Sequence, residues 1–143
     1  AKAALYAGIK LLMDEMGAPS VDRIRLAGAF GSHISVSHAM VLGLIPDCDL
    51  ENVTSAGNAA GAGARMALLD RNARIEIADT IRRAERIETA VAPDFQSHFV
   101  GAMALPHQTD PFPHLFSQVE PPKAKAVTSD DTPKRRRRTR SNR

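Results

Sequence analysis

A chain of 143 residues, 43% apolar and 4% aromatic with no Trp, suffices for one domain, or one lobe of something larger, with a core of Ala, Leu, Ile, Val and Met. No apolar run approaches the roughly 18 residues of a membrane span, and the single cysteine, Cys48, excludes an internal disulfide and a four-thiolate metal site and fits a reducing cytoplasm. The net charge of +3 hides an uneven distribution: residues 1–122 carry 10 Lys+Arg against 14 Asp+Glu, net −4, and residues 123–143 carry 9 against 2, net +7, so the basic balance belongs to the tail.

The chain opens at Ala1 without Met or a signal-peptide pattern and is already helical in character, as expected of a piece of a longer polypeptide. Leu5, Gly8, Ile9, Leu12 and Met16 recur at helical spacing and predict an amphipathic helix with that face inward, stopped by Gly17 and Pro19. Val21 to Ala27, with Ile and Leu alternating with Arg23 and Arg25, reads as a strand. Ser35 is placed to cap a helix running through Leu42, ended by Gly43 and Pro46. Asn52 to Gly57 has the Val and Thr content of a second strand, and Asn58 to Leu69 follows as a helix that is almost all Ala and Gly over two turns. A further helix has Ala73, Ile77, Ile81 and Ala84 on one face and Asp79 four residues before Arg83 on another. Arg86 to Val91 is expected to be a third strand, and Pro93 to open a last helix in which Phe95, Phe99 and Met103 lie four apart.

After Pro106 apolar periodicity ends, six of the nine prolines lie from Pro106 onward, and the chain closes with KRRRRTRSNR. Residues 107–143 are therefore expected to be a Pro-rich, then polybasic, disordered tail behind a domain of residues 1–106, and cutting at Pro106 is expected to leave thermal stability unchanged. Such a tail attracts phosphates without sequence preference. No aromatic lies among the arginines to stack a base, so nucleic acid is not expected beyond non-specific tail contacts, and no membrane partner is expected.

Two glycine-rich stretches carry the candidate chemistry. In LAGAFGS, Gly28, Ala29, Phe30 and Gly31 stand where a strand meets a helix, and such a junction offers backbone N–H groups and the positive helix end to an anion. The stretch is neither a G-x-G-x-x-G fingerprint nor a phosphate loop with G-K-[ST]; it matches the GXXG of KH domains literally, without that fold's preceding helix. A tight turn with close helix-to-strand packing explains Gly28 and Gly31 equally well, and Phe30 reads more as a core side chain than as an adenine platform. In SAGNAAGAGARMALL, two interior glycines each cost up to about 1 kcal/mol relative to Ala, so a close approach should compensate; either packing within one domain or a helix crossing at a hinge between lobes supplies it. Gly57 and Asn58 begin that stretch, and Asn58 is readable as a ligand contact or as an N-cap. His33, His38, Asp47 and Cys48 do not have the spacing of a metal site, Asp47 reads as a turn residue, and no hydrolase or metalloprotease signature is present.

The ordered series LAGAFG, GLIPD, GNAAGAGARMALL and PDFQSHFVGAM closely resembles the C-terminal part of the ATP-dependent reductive activators of corrinoid proteins, often labelled ferredoxin or iron-sulfur proteins. The resemblance covers about Ala1 to Pro106. It implies an α/β fold, one lobe of an actin-like ATPase (ribonuclease H-like) domain with helices packed on a small sheet. It also implies that Gly28 to Gly31 are the adenosine motif, and that Ala59 to Ala67 are the connecting helix that crosses its counterpart from the other lobe. ATP with Mg would be the cofactor of the full-length protein, and a two-iron two-sulfur cluster would reside in a domain absent from this chain. The partner would be a corrinoid protein of a methyltransferase system, with a homodimer left open. The superfamily's phosphate loops and Mg-holding carboxylates have no match here, so no catalytic residue is assigned to this chain. The alternative is a non-catalytic interaction lobe whose glycines serve packing only.

Overall fold

The structure, a computed structural model, describes residues 1–89 and 91–120, the side chain of Phe30 excepted. In chain order the elements are α1 (Lys2–Glu15), β1 (Ile24–Ala27), α2 (Ala29–His33), α3 (Val36–Val41), a 3-10 turn (Leu50–Asn52), β2 (Val53–Gly57), α4 (Ala59–Leu69), α5 (Arg71–Arg83), α6 (Phe95–Gly101) and α7 (Pro113–Gln118). The α/β expectation holds: β1 and β2 form a two-stranded parallel sheet in the register Ile24 with Val53, Arg25 with Thr54 and Leu26 with Ser55, with an irregularity before Ala27 meets Gly57. A parallel pair needs a crossover, and the segment carrying α2 and α3 supplies it.

Several expectations are corrected. Helix α1 forms, but Leu5, Leu12 and Met16 are exposed and the buried side is Ala3, Tyr6, Ala7, Leu11 and Met13. Apolar residues occur all around this helix, and the Tyr6 side wins because it packs on α6 and covers Met40 and Phe112 in the core. Ser35 does sit at the N-cap of α3, yet its hydroxyl bonds the side chains of Ser37 and His38 and no backbone N–H. In α5 only Ala73 is buried, and Ile77 and Ile81 face outward. The third strand does not form among the described residues of 86–91, which lack β1 or β2 as a neighbour. The last helix begins at Phe95, two residues after Pro93, and ends before Met103; the rings of Phe95 and Phe99 do meet, 6.0 Å apart.

The largest correction lies after Pro106. Residues 107–120 fold back onto the body, Phe112 (2% exposed) and Leu115 (0%) enter the core beside Tyr6, Met40 and Cys48, and Pro113 opens α7 at its first position. The polybasic run lies outside the described residues. What seats α7 is a cap from far away in sequence. The Asp47 carboxylate accepts from the N–H groups of His114 (2.9 Å) and Leu115 (3.0 Å) and contacts His114 Nδ1 (2.8 Å). The Phe112 N-cap position offers no side-chain acceptor, so Asp47 does its work, and the negative charge suits the helix end. Asp47→Ala is expected to cost about 1–2 kcal/mol, read as a lower urea midpoint; an unchanged midpoint would show that α7 is seated by apolar packing alone.

Candidate functional site

Strands β1 and β2 end side by side, and each chain turn there is made by a glycine in the left-handed region, Gly28 just after β1 at φ +97° and Gly57 at the end of β2 at φ +63°. The Gly28 N–H donates to the Gly57 carbonyl at 2.8 Å, so the two sequence-predicted stretches are brought into direct contact. Both glycines turn the chain straight from strand into helix, α2 after Gly28 and α4 after Gly57 through Asn58. A Cβ on either would meet nothing within 4 Å, so the space over both turns is open. Ala29 is exposed at the start of α2. This is the carboxyl end of a parallel pair, where open α/β sheets place their ligands.

Gly31 and Asn58 have structural duties there. Gly31 is buried one turn into α2, and a Cβ would stand 2.9 Å from the Leu26 carbonyl carbon and 3.0 Å from its oxygen, so glycine lets the helix lie on β1 backbone to backbone. The Asn58 side-chain oxygen accepts from the Gly61 N–H at 2.9 Å, the N-cap of α4. With Gly61 held by Asn58, the N–H groups of Ala59 and Ala60 are the ones outside the intrahelical ladder at this helix end.

The small-residue helix itself contains no buried residue, and Met66, Leu68 and Leu69 are exposed. Gly61 meets only its own cap: an added Cβ would stand 2.7 Å from the Asn58 amide nitrogen. Packing among the described residues is thus not what the α4 glycines compensate. Gly61→Ala is expected to gain up to about 1 kcal/mol of helix propensity and lose about as much by displacing the cap. The thermal midpoint should therefore stay within a few degrees of the parent; a large drop would reveal a further partner for Gly61.

A cleft of about 480 Å³ lies at the opposite, amino-terminal ends of the strands, walled by Asp22, Asp47, Asp49, Asp110, Lys10 and His114 among others, and none of the predicted glycines borders it. The carboxyl strand ends present backbone donors, whereas in the cleft the carboxylates of Asp47, Asp49 and Asp110 are already engaged in the fold. Asp110 accepts from the Tyr6 hydroxyl (2.9 Å) and from Lys10 (3.3 Å). Burial alone would push the Asp110 carboxyl up, but the Tyr6 hydroxyl, Lys10 and His107 together hold it below the ordinary carboxylate range. Burial, with Asp110 beside it, raises the Tyr6 phenol. This cluster was not legible in the sequence, because its members lie about a hundred positions apart.

His33, His38, Asp47 and Cys48 do not assemble: both histidines are exposed, Asp47 caps α7, and Cys48 is 1% exposed with its thiol pushed up by burial and by Asp49, Asp47 and Asp22. No group of three or more His, Cys, Asp or Glu among the described residues could hold a metal ion. No described helix is long and apolar enough to cross a membrane.

Comparison with known proteins places this geometry. Residues 1–116 match the family model for the C-terminal domain of RACo, the ASKHA domain. The chain is 41% identical over 98 residues to the corrinoid activation enzyme RamQ of Eubacterium limosum, covering 66% of this chain and 16% of RamQ. It is also similar to a solved structure titled as a reductive activator for a corrinoid, iron-sulfur protein, with a TM-score of 0.71 and 36% identity over 83% of this chain and 19% of that one. The chain therefore spans about a sixth to a fifth of the length of these relatives. With Phe112 and Leu115 inside both the core and the matched range, it belongs to the family of the C-terminal ASKHA domain of RACo.

Proposed function

We propose that this chain is the C-terminal nucleotide-binding lobe of a cytoplasmic, ATP-dependent reductive activator that returns inactive Co(II) corrinoid proteins to Co(I) by delivering one electron. The observation that carries the reading is the pair of open glycine turns, Gly28 and Gly57, joined at the carboxyl ends of β1 and β2. The names of the relatives, a corrinoid activation enzyme and a reductive activator, supply the direction of the chemistry.

In this reading the lobe binds and orients and does no bond-breaking of its own. Backbone at Gly28 and Ala29, Gly57 and the N–H groups after Asn58 would receive the nucleoside, and the exposed α4 would transmit lobe closure. Mg and the hydrolytic water need carboxylates that the glycine end does not offer. The chain's one cysteine is buried, so the electron-donating two-iron two-sulfur cluster must belong to another domain. The competing reading, a lobe whose glycines only pack, accounts for Gly31, which meets Leu26, but leaves unexplained the open space over Gly28 and Gly57.

The test is Ala29→Glu in the longer protein with both lobes. Ala29 is exposed, so the fold should tolerate the change while bulk and negative charge enter the proposed site. We expect ATP affinity by calorimetry to fall at least about tenfold, roughly 1.4 kcal/mol, at an unchanged thermal midpoint. Unaltered ATP affinity would sink the nucleotide reading in favour of the interaction lobe.

A further inference from the structure

His107 lies where the C-terminal segment meets the body, and its side chain is 5% exposed. Its ring sits 4.9 Å from that of Tyr6 on α1, and its Nε2 and Cε1 edge lies so close to Gly101 of α6 that an added Cβ there would stand 2.8 Å from the ring. Its Nδ1 accepts from two backbone N–H groups, Thr109 at 3.2 Å and Asp110 at 2.9 Å. Those bonds close the turn that aims the Asp110 side chain at Tyr6 and Lys10. They also fix the tautomer: the lone pair is on Nδ1 and the proton on Nε2, which is buried with no hydrogen-bond partner among the described residues.

We propose that His107 is a proton-operated latch: with Nδ1 unprotonated it holds residues 107–120 on α1 and α6, and a proton on Nδ1 releases that segment and opens the acidic cleft that Asp110, Pro111, Pro113 and His114 wall on one side. The proton occupies the lone pair that both N–H groups use, so one event leaves two backbone donors facing a third. An imidazolium in this position would also be a buried charge.

The surrounding charges decide the direction. Burial, the largest influence, holds His107 below the ordinary histidine range; Asp110, with Oδ1 3.6 Å from Nδ1, acts the other way, and Lys2 and Lys10 on α1 and His98 on α6 reinforce burial. Of the other groups on the packed elements, the Tyr6 hydroxyl donates to Asp110 and Asp14 is engaged with His98 Nε2 at 2.8 Å. The seated segment therefore binds the proton less readily than the released one. The latch is fully set above the ordinary histidine pKa of about 6.5, and release grows by up to about tenfold per pH unit from there down to the lowered value of the seated state, below which it levels.

The test is amide hydrogen exchange on the 143-residue chain, corrected for intrinsic exchange, from pH 7.5 to 5.0. Protection of residues 107–120 should fall relative to β1 and β2 as the pH drops below about 6.5, by no more than about tenfold per pH unit. In His107→Gln, whose amide oxygen can accept from the same turn and does not titrate in this range, protection should be nearly independent of pH. In His98→Gln the fall should persist. An equal fall in folded His107→Gln would overturn the latch. Should His107→Gln not fold, the His107 ring proton shifts in the parent chain decide: titration below 6.5 in step with the loss of protection supports the latch, and titration at or above 6.5, or a loss of protection without titration, overturns it.

Discussion

A chain ending at Pro106 is expected to be less stable than one ending at Glu120 by on the order of 5 kcal/mol. Burying a Leu or Phe side chain is worth about 1.5–3 kcal/mol each, and the cut removes both Phe112 and Leu115, which are 2% and 0% exposed. It also uncovers Tyr6 and strips its hydroxyl of Asp110, and leaves the Asp47 carboxylate without the two N–H groups it caps. Against a total stability of about 5–15 kcal/mol for a domain, a loss of this size is a large fraction of what holds the fold together. Urea denaturation followed by far-UV circular dichroism measures it. Coinciding midpoints for the two chains would mean that residues 107–120 add nothing to the core, and would remove the physical basis of the His107 latch as well.

That segment also shows where local pattern stops being informative. β1, β2 and α4 were readable because each is specified by neighbours in sequence: a short Val, Ile, Leu or Thr run closed by a glycine that must turn, then a capping Asn58. Residues 107–120 look like a tail in the sequence because clustered prolines usually break local structure, while Pro113 is a helix starter whose cap, Asp47, comes from 66 positions earlier. The inward face of α1 is hidden in the sequence for another reason. Ala3, Leu5, Tyr6, Ala7, Ile9, Leu11, Leu12 and Met13 surround most of the helix, so spacing identifies the helix but cannot choose its face. The choice is made by α6 and by Phe112, both remote in sequence. Of the candidate site, the two strand-to-helix glycine turns are legible in the sequence, whereas their contact and the split of the glycines into open and packed ones are not, because these depend on the pairing of β1 with β2 and on what lies across from each missing Cβ.

Gly31 is the position where that split has the largest effect. It lies in helical backbone without a positive φ, so on local grounds a side chain should help: replacing a helical glycine by Ala gains up to about 1 kcal/mol. Gly8, mid-helix in α1 with nothing within 4 Å of an added Cβ, is expected to behave that way. At Gly31 the added carbon meets the Leu26 carbonyl carbon at 2.9 Å and the oxygen at 3.0 Å, atoms of β1 that cannot swing aside as a side-chain tip would. Overpacking costs about 1–3 kcal/mol where side chains can adjust, and here α2 would have to lift off the sheet, so Gly31→Val is expected to cost about 3 kcal/mol or more, with Gly31→Ala between Val and the parent. Thermal unfolding of Gly8→Ala, Gly31→Ala and Gly31→Val in the same chain measures the contrast. Opposite signs at the two glycines support backbone-on-backbone packing of α2 on β1. A stable Gly31→Val with weakened ATP binding in the longer protein would instead move Gly31 to the ligand-facing glycines, alongside Gly28 and Gly57.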